Sequence, residues 1–375
     1  MDVPVRFCQT PAGVRIAYQI MGDGPAIVWP AWFYTHLELL WENPRLTHFF
    51  GTLAERFSVV LYDKPGCGLS DRDAPAFTLA AQVEALAAVV AAVDRPRFAL
   101  FGFSQGGPAA IAYAAQHPDQ IARLLLYSTR GHTAPPDDPA TAAAVWDAAK
   151  TLIRAHWGFG SSVLIQLSIP DADPALIAWE ARLMQAAVDP EVAIRMLEQF
   201  LSFDVSSLLA QVQAPTLVLH RRGDQAQPFA GGRELAAGIP GARFVPMDGA
   251  WHALYERAEQ DVLRHVLAHL DDGDTTDGEP GTGGEPDSLL PHPATASAER
   301  ARTPAYPDGL TAREVDVLRL IAAGQSTREI AAFLVIAEGT VGRHVTNLYG
   351  KIGARGRADA TAYAFRRALV PQRSA

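Results

Sequence analysis

Phe98-Ala-Leu-Phe-Gly-Phe-Ser-Gln-Gly-Gly-Pro-Ala-Ala-Ile-Ala-Tyr-Ala-Ala-Gln116 is the stretch that decides the fold. Its first four residues, Phe98 to Phe101, are an apolar run of the kind that forms a buried strand. Gly102-Phe-Ser-Gln-Gly106 fits G-x-S-x-G, and the alanine-rich run from Gly106 to Gln116 predicts a helix. Strand, tight turn and helix in that order are the context this motif requires. The flanking glycines let the backbone turn sharply. Ser104 Oγ then projects from the turn, and the backbone N–H groups that follow point to where an oxyanion would develop.

A serine hydroxyl is a weak nucleophile without a base, and the base needs an orienting carboxylate. The chain supplies both in the order Ser…Asp…His. Asp224 follows the apolar run Thr216–Leu219, within Arg222-Gly-Asp-Gln-Ala-Gln-Pro228. His252 follows Phe244–Pro246, within Gly249-Ala-Trp-His-Ala-Leu254. Both positions lie just past strand C-termini, where open α/β sheets place their sites. Trp32, Phe33, Phe103 and Trp251 suggest an apolar pocket nearby, with His36 as a further candidate contact.

Around this centre, short apolar runs alternate with helical patterns. Val14–Ile20, Ala26–Trp29, Ser58–Tyr62, Phe98–Gly102, Leu124–Tyr127, Thr216–Leu219 and Phe244–Pro246 are expected as strands. Thr78–Val93 and Gly106–Gln116 are expected as helices. The alternation argues for an α/β fold with a mostly parallel sheet covered on both faces. Residues 131–205 break the rhythm with a helical pattern rich in Trp and Met, and are expected to form a lid over the 1–270 domain. Residues 271–305 are acidic and Gly/Pro-rich, with too few apolar groups to offset their ordering entropy, and are expected to form a flexible tether.

Residues 306–375 form a second, small all-α domain with a different charge. They carry ten basic residues against six acidic ones, a surplus of four that leaves −13 for Met1–Ala305 within a chain total of −9. An acidic body with a basic tail suits a protein whose tail alone meets phosphate. Thr311-Ala-Arg-Glu314 and Ser326-Thr-Arg-Glu329 are capping boxes, each opening an apolar helical period. Gly324 separates the two helices, and a third follows from Glu338 to Lys351. On that third helix Val341, Val345, Leu348 and Ile352 fall on one stripe. Thr340, Arg343, His344, Asn347 and Lys351 fall on a neighbouring face, within about 100° of arc. One apolar stripe and one stripe of donors let a helix pack its domain while entering a major groove.

The first 270 residues resemble the α/β-hydrolase superfamily. Tyr62-Asp-Lys-Pro-Gly-Cys-Gly-Leu-Ser70 is similar to that family's D-x-R-G-x-G-x-S turn, with Pro65 in place of the usual residue. Thr35-His-Leu-Glu-Leu and Trp41-Glu-Asn-Pro44 resemble the subgroup fused to bacterial signalling domains. The resemblance implies Ser104 as nucleophile, Asp224 as orienting acid and His252 as base. It also implies an oxyanion hole from the backbone of Gln105 and of Trp32 or Phe33, although Pro30-Ala31 replaces the familiar His-Gly pair.

Leu310 to Val370 resembles the LuxR/FixJ-type helix-turn-helix domain. The matching residues are Leu310, Thr311, Arg313, Glu314, Glu329-Ile-Ala331, Thr340-Val341, His344, Asn347, Lys351, Gly353, Arg357 and Leu369-Val370. Gly342 and Ala337 depart from the usual Lys and Ser. The resemblance implies double-stranded DNA as partner and a homodimer paired through the last helix, where Ala360 and Ala364 lie at i,i+4.

Together these readings predict a DNA-binding transcriptional regulator. Its hydrolase-like domain would sense, and hydrolyse, a small apolar acyl ester, lactone or thioester. The alternative is a serine esterase or lactonase whose tail localises or oligomerises it. No cofactor or metal is expected. Cys8 and Cys67 lack metal-ligand spacing and are expected to be reduced thiols. The start of the chain carries no signal pattern and no apolar run reaches the roughly 18 residues of a membrane span, so a cytoplasmic location is expected.

Overall fold

The computed structural model describes residues 3–73, 76–134, 138–254, 259–271, 308, 310, 312–322, 325–328, 330, 338–367 and 369. The chain divides into two compact units, Met1–Gly281 and Thr282–Ala375.

In the first unit eight strands form one sheet: β1 (Arg6–Gln9), β2 (Arg15–Met21), β3 (Ala26–Trp29), β4 (Ser58–Tyr62), β5 (Phe98–Phe103), β6 (Ile121–Tyr127), β7 (Thr216–Arg221) and β8 (Arg243–Met247). Their order is β1-β2-β4-β3-β5-β6-β7-β8. The β1–β2 and β2–β4 pairings are antiparallel, and all the others are parallel. The expected mostly parallel sheet is therefore present. β3, β4, β5 and β7 are buried along their whole lengths, which is why they read as mostly apolar runs, β7 only as far as Leu219.

Alternate side chains feed two separate cores. Ile27 and Trp29 join a cluster with Phe49, Phe50 and Phe101. Val28 joins one with Leu86, Ile111 and Leu124. This period of two places one core on each face of the sheet. Trp29 stacks on Phe101 with ring centres 3.7 Å apart, and meets Phe49 and Phe50 edge-on.

The covering helices begin where local chemistry favours it. α1 (Pro44–Ala54) starts at Asn43, whose side chain accepts from the Arg45 and Leu46 N–H groups. Thr78 Oγ1 caps α2 (Leu79–Val93) through Ala81 N–H. α3 (Gly106–Gln116) is buried from Gly106 to Ala114, and its alanines let it lie close to the sheet. α8 (Phe229–Gly238) and α9 (Glu259–Asp271) complete the two layers.

After β6 the chain leaves the sheet at Gly131. It returns at Val205, whose N–H donates to the Gly131 carbonyl at 2.8 Å. Between them lie four helices: α4 (Pro139–Ala155), α5 (Trp157–Ser168), α6 (Pro174–Ala187) and α7 (Pro190–Leu201). Pro opens three of them at the first position, where its missing N–H costs nothing. Cys8 and Cys67 are both free.

Among its described residues the second unit has three helices, Ala312–Ala322, Glu338–Ile352 and Arg357–Arg366. They enclose a core that includes Val315, Leu318, Ile330, Val341, Leu348 and Tyr363. Ile330 N–H donates to the Ser326 carbonyl at 2.9 Å, as in the first turn of the expected second helix. Gly324, Glu329, Ala331, Leu334 and Ala337 lie outside the described residues, as does the expected tether beyond Asp271. Ala360 and Ala364, expected on a dimer face, are instead fully buried in this unit's own core. Small residues at i,i+4 let helices approach, and here they are used within the unit.

Replacing Phe101 by Ala removes the ring stacked on Trp29 from a site with no solvent access. The expected loss is about 3–5 kcal/mol. All seven tryptophans lie before residue 282, so urea unfolding followed by tryptophan fluorescence reports on this unit alone. A loss below about 1 kcal/mol would show that the core collapses around the gap.

Candidate functional site

Ser104 sits between β5 and α3 with φ +50°, a left-handed conformation that costs a non-glycine residue about 1–2 kcal/mol. Its neighbours hold it there. Ser104 N–H donates to the Tyr127 carbonyl at 3.1 Å, and its own carbonyl accepts from Gly107 N–H at 3.1 Å and Thr129 Oγ1 at 2.6 Å. A Cβ on Gly106 would lie 2.4 Å from the Pro30 carbonyl oxygen, and one on Gly107 would lie 2.1 Å from Thr129 Oγ1. These glycines are required by close approach as well as by the turn.

His252 Nε2 lies 2.8 Å from Ser104 Oγ, and His252 Nδ1 lies 2.8 Å from Asp224 Oδ2. All three residues are buried. The partners assign the protons: Nδ1–H donates to the carboxylate, leaving Nε2 to accept from the serine hydroxyl. Asp224 Oδ1 accepts the Ala226 and Gln227 N–H groups, each at 2.9 Å. Burial pushes the Asp224 pKa up, but the charge and hydrogen bond of His252, the Gln227 N–H and nearby His220 outweigh it and hold the carboxyl below its usual range. Three residues placed apart in the sequence are thus brought into one relay.

A cavity of about 350 Å³ opens above Ser104. Trp32, Phe33, Phe103, Leu164, Met184 and Phe200 form much of its wall, and Gln105 borders it beside Ser104. Trp32 leans on Phe103 with ring centres 5.7 Å apart, and Phe103 stacks on the His252 ring at 5.1 Å. Trp251 packs into the core of the unit instead of the cavity. His36 is not part of the cavity wall and lies beside buried Asp63.

Known proteins share the fold. A family model for the alpha/beta hydrolase fold matches residues 39–157, and one for TAP-like proteins matches 202–281. A pimeloyl-[acyl-carrier protein] methyl ester esterase from Chromobacterium violaceum is 31% identical over 232 residues, which cover 58% of this chain and 86% of that protein. The chain belongs to the α/β-hydrolase family. A hydrolase from Pseudomonas aeruginosa PA01 superposes with a TM-score of 0.60 at 25% identity, covering 71% of this chain and 98% of that one. An esterase from Exiguobacterium antarcticum gives a TM-score of 0.63 at 18% identity over the same shares, a likeness of fold. A further family model, for bacterial regulatory proteins of the luxR family, matches residues 308–364. The hydrolase therefore carries a C-terminal LuxR-type DNA-binding domain.

In that domain Val341 and Leu348 are buried, and Val345 and Ile352 pack against the same core, so the expected apolar stripe forms. Arg343 and Asn347 are exposed and His344 is half-buried. The side chain of Thr340 lies outside the described part. Lys351 differs from the expectation of a freely presented donor. Its Nζ donates to Glu314 Oε2 at 2.7 Å, and Glu314 is buried. A helical wheel shows which face a residue occupies, but this partner comes from another helix.

Three polar residues of the hydrolase unit, His220 and Lys64 buried and Arg130 half-buried, carried no sequence signal that was used. His220, near the end of β7, donates through Nε2–H to the Gln227 carbonyl at 2.9 Å and lies 3.9 Å from Asp224 Oδ2. Burial pushes its pKa down, against the Gln227 carbonyl and Asp224. Its position directly after the apolar run Leu217–Leu219 was the available clue. Arg130 lies in the cavity wall. Lys64 lies beneath Gln105, its Nζ donating to Gln105 Oε1 at 3.4 Å. Burial pushes the Lys64 pKa down to about 8, partly opposed by Cys67.

Two predictions follow from these buried charges. Lys64 is harder to protonate in the folded chain than at its ordinary value of 10.5. Its ammonium therefore destabilises the fold fully below about pH 8, and the penalty fades between about 8 and 10.5. Lys64→Met should stabilise the unit by on the order of 2–3 kcal/mol at pH 7 and by far less at pH 10. Equal effects at the two pH values would refute the account. In the DNA-binding domain, Lys351→Ala strips a partner from buried Glu314 and should destabilise that domain by about 1–3 kcal/mol, whereas Asn347→Ala should not. Thermal unfolding of the two variants by circular dichroism separates them.

Proposed function

We propose that the hydrolase unit cleaves a small acyl ester through Ser104, His252 and Asp224, and that occupancy of its cavity is reported to a promoter through the LuxR-type domain. The observation that carries this reading is the hydrogen-bonded relay at 2.8 Å and 2.8 Å beneath an apolar cavity, in a chain that also carries a LuxR-type domain. Ser104 Oγ attacks the ester carbonyl carbon while His252 Nε2 takes the hydroxyl proton. Asp224 keeps the imidazole in the competent tautomer and stabilises the imidazolium. The negative oxygen faces the backbone N–H of Gln105 and that of Trp32 or Phe33. His252 returns the proton to the leaving alcohol, and water then releases the acyl group by the reverse path. A lactone or thioester would follow the same steps.

Arg343, His344, Asn347 and Thr340 are assigned to the major groove, with Lys351 divided between the groove and Glu314. A homodimer on a two-fold operator suits such a domain. The reading places the reaction in the cytoplasm, with the DNA. Among the described residues no helix is long and apolar enough to cross a membrane.

Labelling of the full chain with a fluorophosphonate tests the nucleophile. Wild type should label, Ser104→Ala should not, and Asp224→Asn should label roughly 10³–10⁴-fold more slowly. Fragments selected from random DNA then provide a binding assay for the labelled and unlabelled chain. Since phosphate contacts weaken steeply with salt, the comparison belongs at low, fixed ionic strength. A changed affinity supports the sensor. Labelling without any change in affinity favours an esterase whose tail serves localisation or assembly.

A further inference from the structure

The cavity above Ser104 is mostly apolar, yet a guanidinium stands in its wall. Arg130 follows β6 and lines the same cavity as Ser104 and His252. Its backbone is held in fixed relation to the nucleophile. The preceding Thr129 donates through Oγ1 to the Ser104 carbonyl at 2.6 Å, and α8 closes against Arg130 so tightly that a Cβ on Gly231 would lie 2.7 Å from its Cβ. The guanidinium carbon lies 4.8 Å from the centre of the Phe200 ring, which belongs to α7 and also lines the cavity.

No carboxylate among the described residues pairs with this cation. Burial pushes its pKa down, with no acid opposing the shift. The acid in the cavity wall is Glu180, and it is engaged with the Tyr34 hydroxyl, which donates to it at 2.7 Å. A cation in an apolar wall is costly unless something supplies a counter-charge. A ring face offsets only part of that cost. The planar guanidinium fork matches a carboxylate, which it binds through two parallel hydrogen bonds.

We propose that the substrate is an acyl ester bearing a carboxylate, which Arg130 binds while Ser104 attacks the ester carbonyl at the other end. The class is a half-ester of a short dicarboxylic acid. A carboxylate is favoured over a phosphate because Arg130 is the cation in the described cavity wall, and one guanidinium leaves half of a phosphate dianion unanswered. Hydrolysis adds water across the ester bond and releases the alcohol and the dicarboxylate. The assignment deepens the esterase reading and rests on it for the bond that is broken, but the carboxylate site can be measured separately.

The test is calorimetric titration of full-length Ser104→Ala, which cannot turn over, with methyl half-esters of malonic to adipic acid and with the corresponding neutral dimethyl esters. The best half-ester should bind at least ten-fold more tightly than its neutral counterpart. Arg130→Gln in the same background should cut that ratio by about ten- to a hundred-fold, and Arg130→Lys should retain part of it. In the chain with Ser104 intact, Arg130→Gln should raise KM for the half-ester far more than for the neutral ester. Equal binding of both ligands, a preference that survives Arg130→Gln, or binding of neither would overturn the proposal. If Arg130→Gln fails to fold, the two-ligand comparison and Arg130→Lys still decide. Fluorophosphonate labelling separates the two readings. Labelling without a charge preference leaves the esterase and removes the carboxylate site. An Arg130-dependent preference without labelling leaves the carboxylate site and removes the esterase.

Discussion

Ser104 occupies a backbone conformation that an L-residue adopts at a cost of about 1–2 kcal/mol, and the surrounding structure is arranged to hold it there. The restraint comes from two neighbouring strands, the residues that follow them, and one helix. β6 supplies the Tyr127 carbonyl and the segment after it the Thr129 hydroxyl, α3 supplies the Gly107 N–H, and the residue after β3 presses its carbonyl on Gly106. That last contact does two things. It brings the loop carrying Trp32 and Phe33 against the start of α3, where Gln105 lies. Both sides of a prospective oxyanion hole thereby share one anchor, Pro30. Pro at this position supplies a carbonyl and a rigid φ and asks for no hydrogen-bond acceptor, which suits a loop wedged against a helix.

Most of this was legible because burial leaves a mark on sequence. β3 and β4 match their apolar runs from end to end, since both faces of each are covered. β1 was not legible. It is an edge strand of Arg6-Phe-Cys-Gln9, largely exposed, and its place depends on pairing with β2 more than on its own side chains. The relay was legible from chain order and strand ends. Arg130, Lys64 and His220 were not, because a charged or polar residue betrays its burial only once the partner elements are in place. Lys351 shows the same limit. Its helical phase was correct, yet its energetics are shared with Glu314, 37 residues earlier in the chain.

The lid is more than a cover. The His252 N–H donates to the carbonyl of Ser168, the last residue of α5, at 2.7 Å. The loop holding His252 is therefore fastened to α5 as well as to the sheet. Phe200 fastens α7 to the cavity wall through the Arg130 guanidinium. Any displacement of α5 or α7 acts on a group beside Ser104 through these contacts. Catalytic geometry and lid position are two descriptions of one arrangement, and whatever fills the cavity acts on both.

That coupling gives a ligand something to bias. A ligand shifts an equilibrium only by the difference in its affinity for the two states, so a report to DNA requires an element whose arrangement the ligand favours. An apolar acyl chain alone is a weak instrument, because it gains from burial in any arrangement that excludes water. A charge is a sharper one. A carboxylate on Arg130 gains its full value only where water is excluded and the guanidinium is held in place, with Phe200 of α7 stacked on it. The same contact that would select the substrate would then favour one lid arrangement over others. In this reading recognition and signalling draw on a single interaction, and cleavage of the ester at Ser104 ends both.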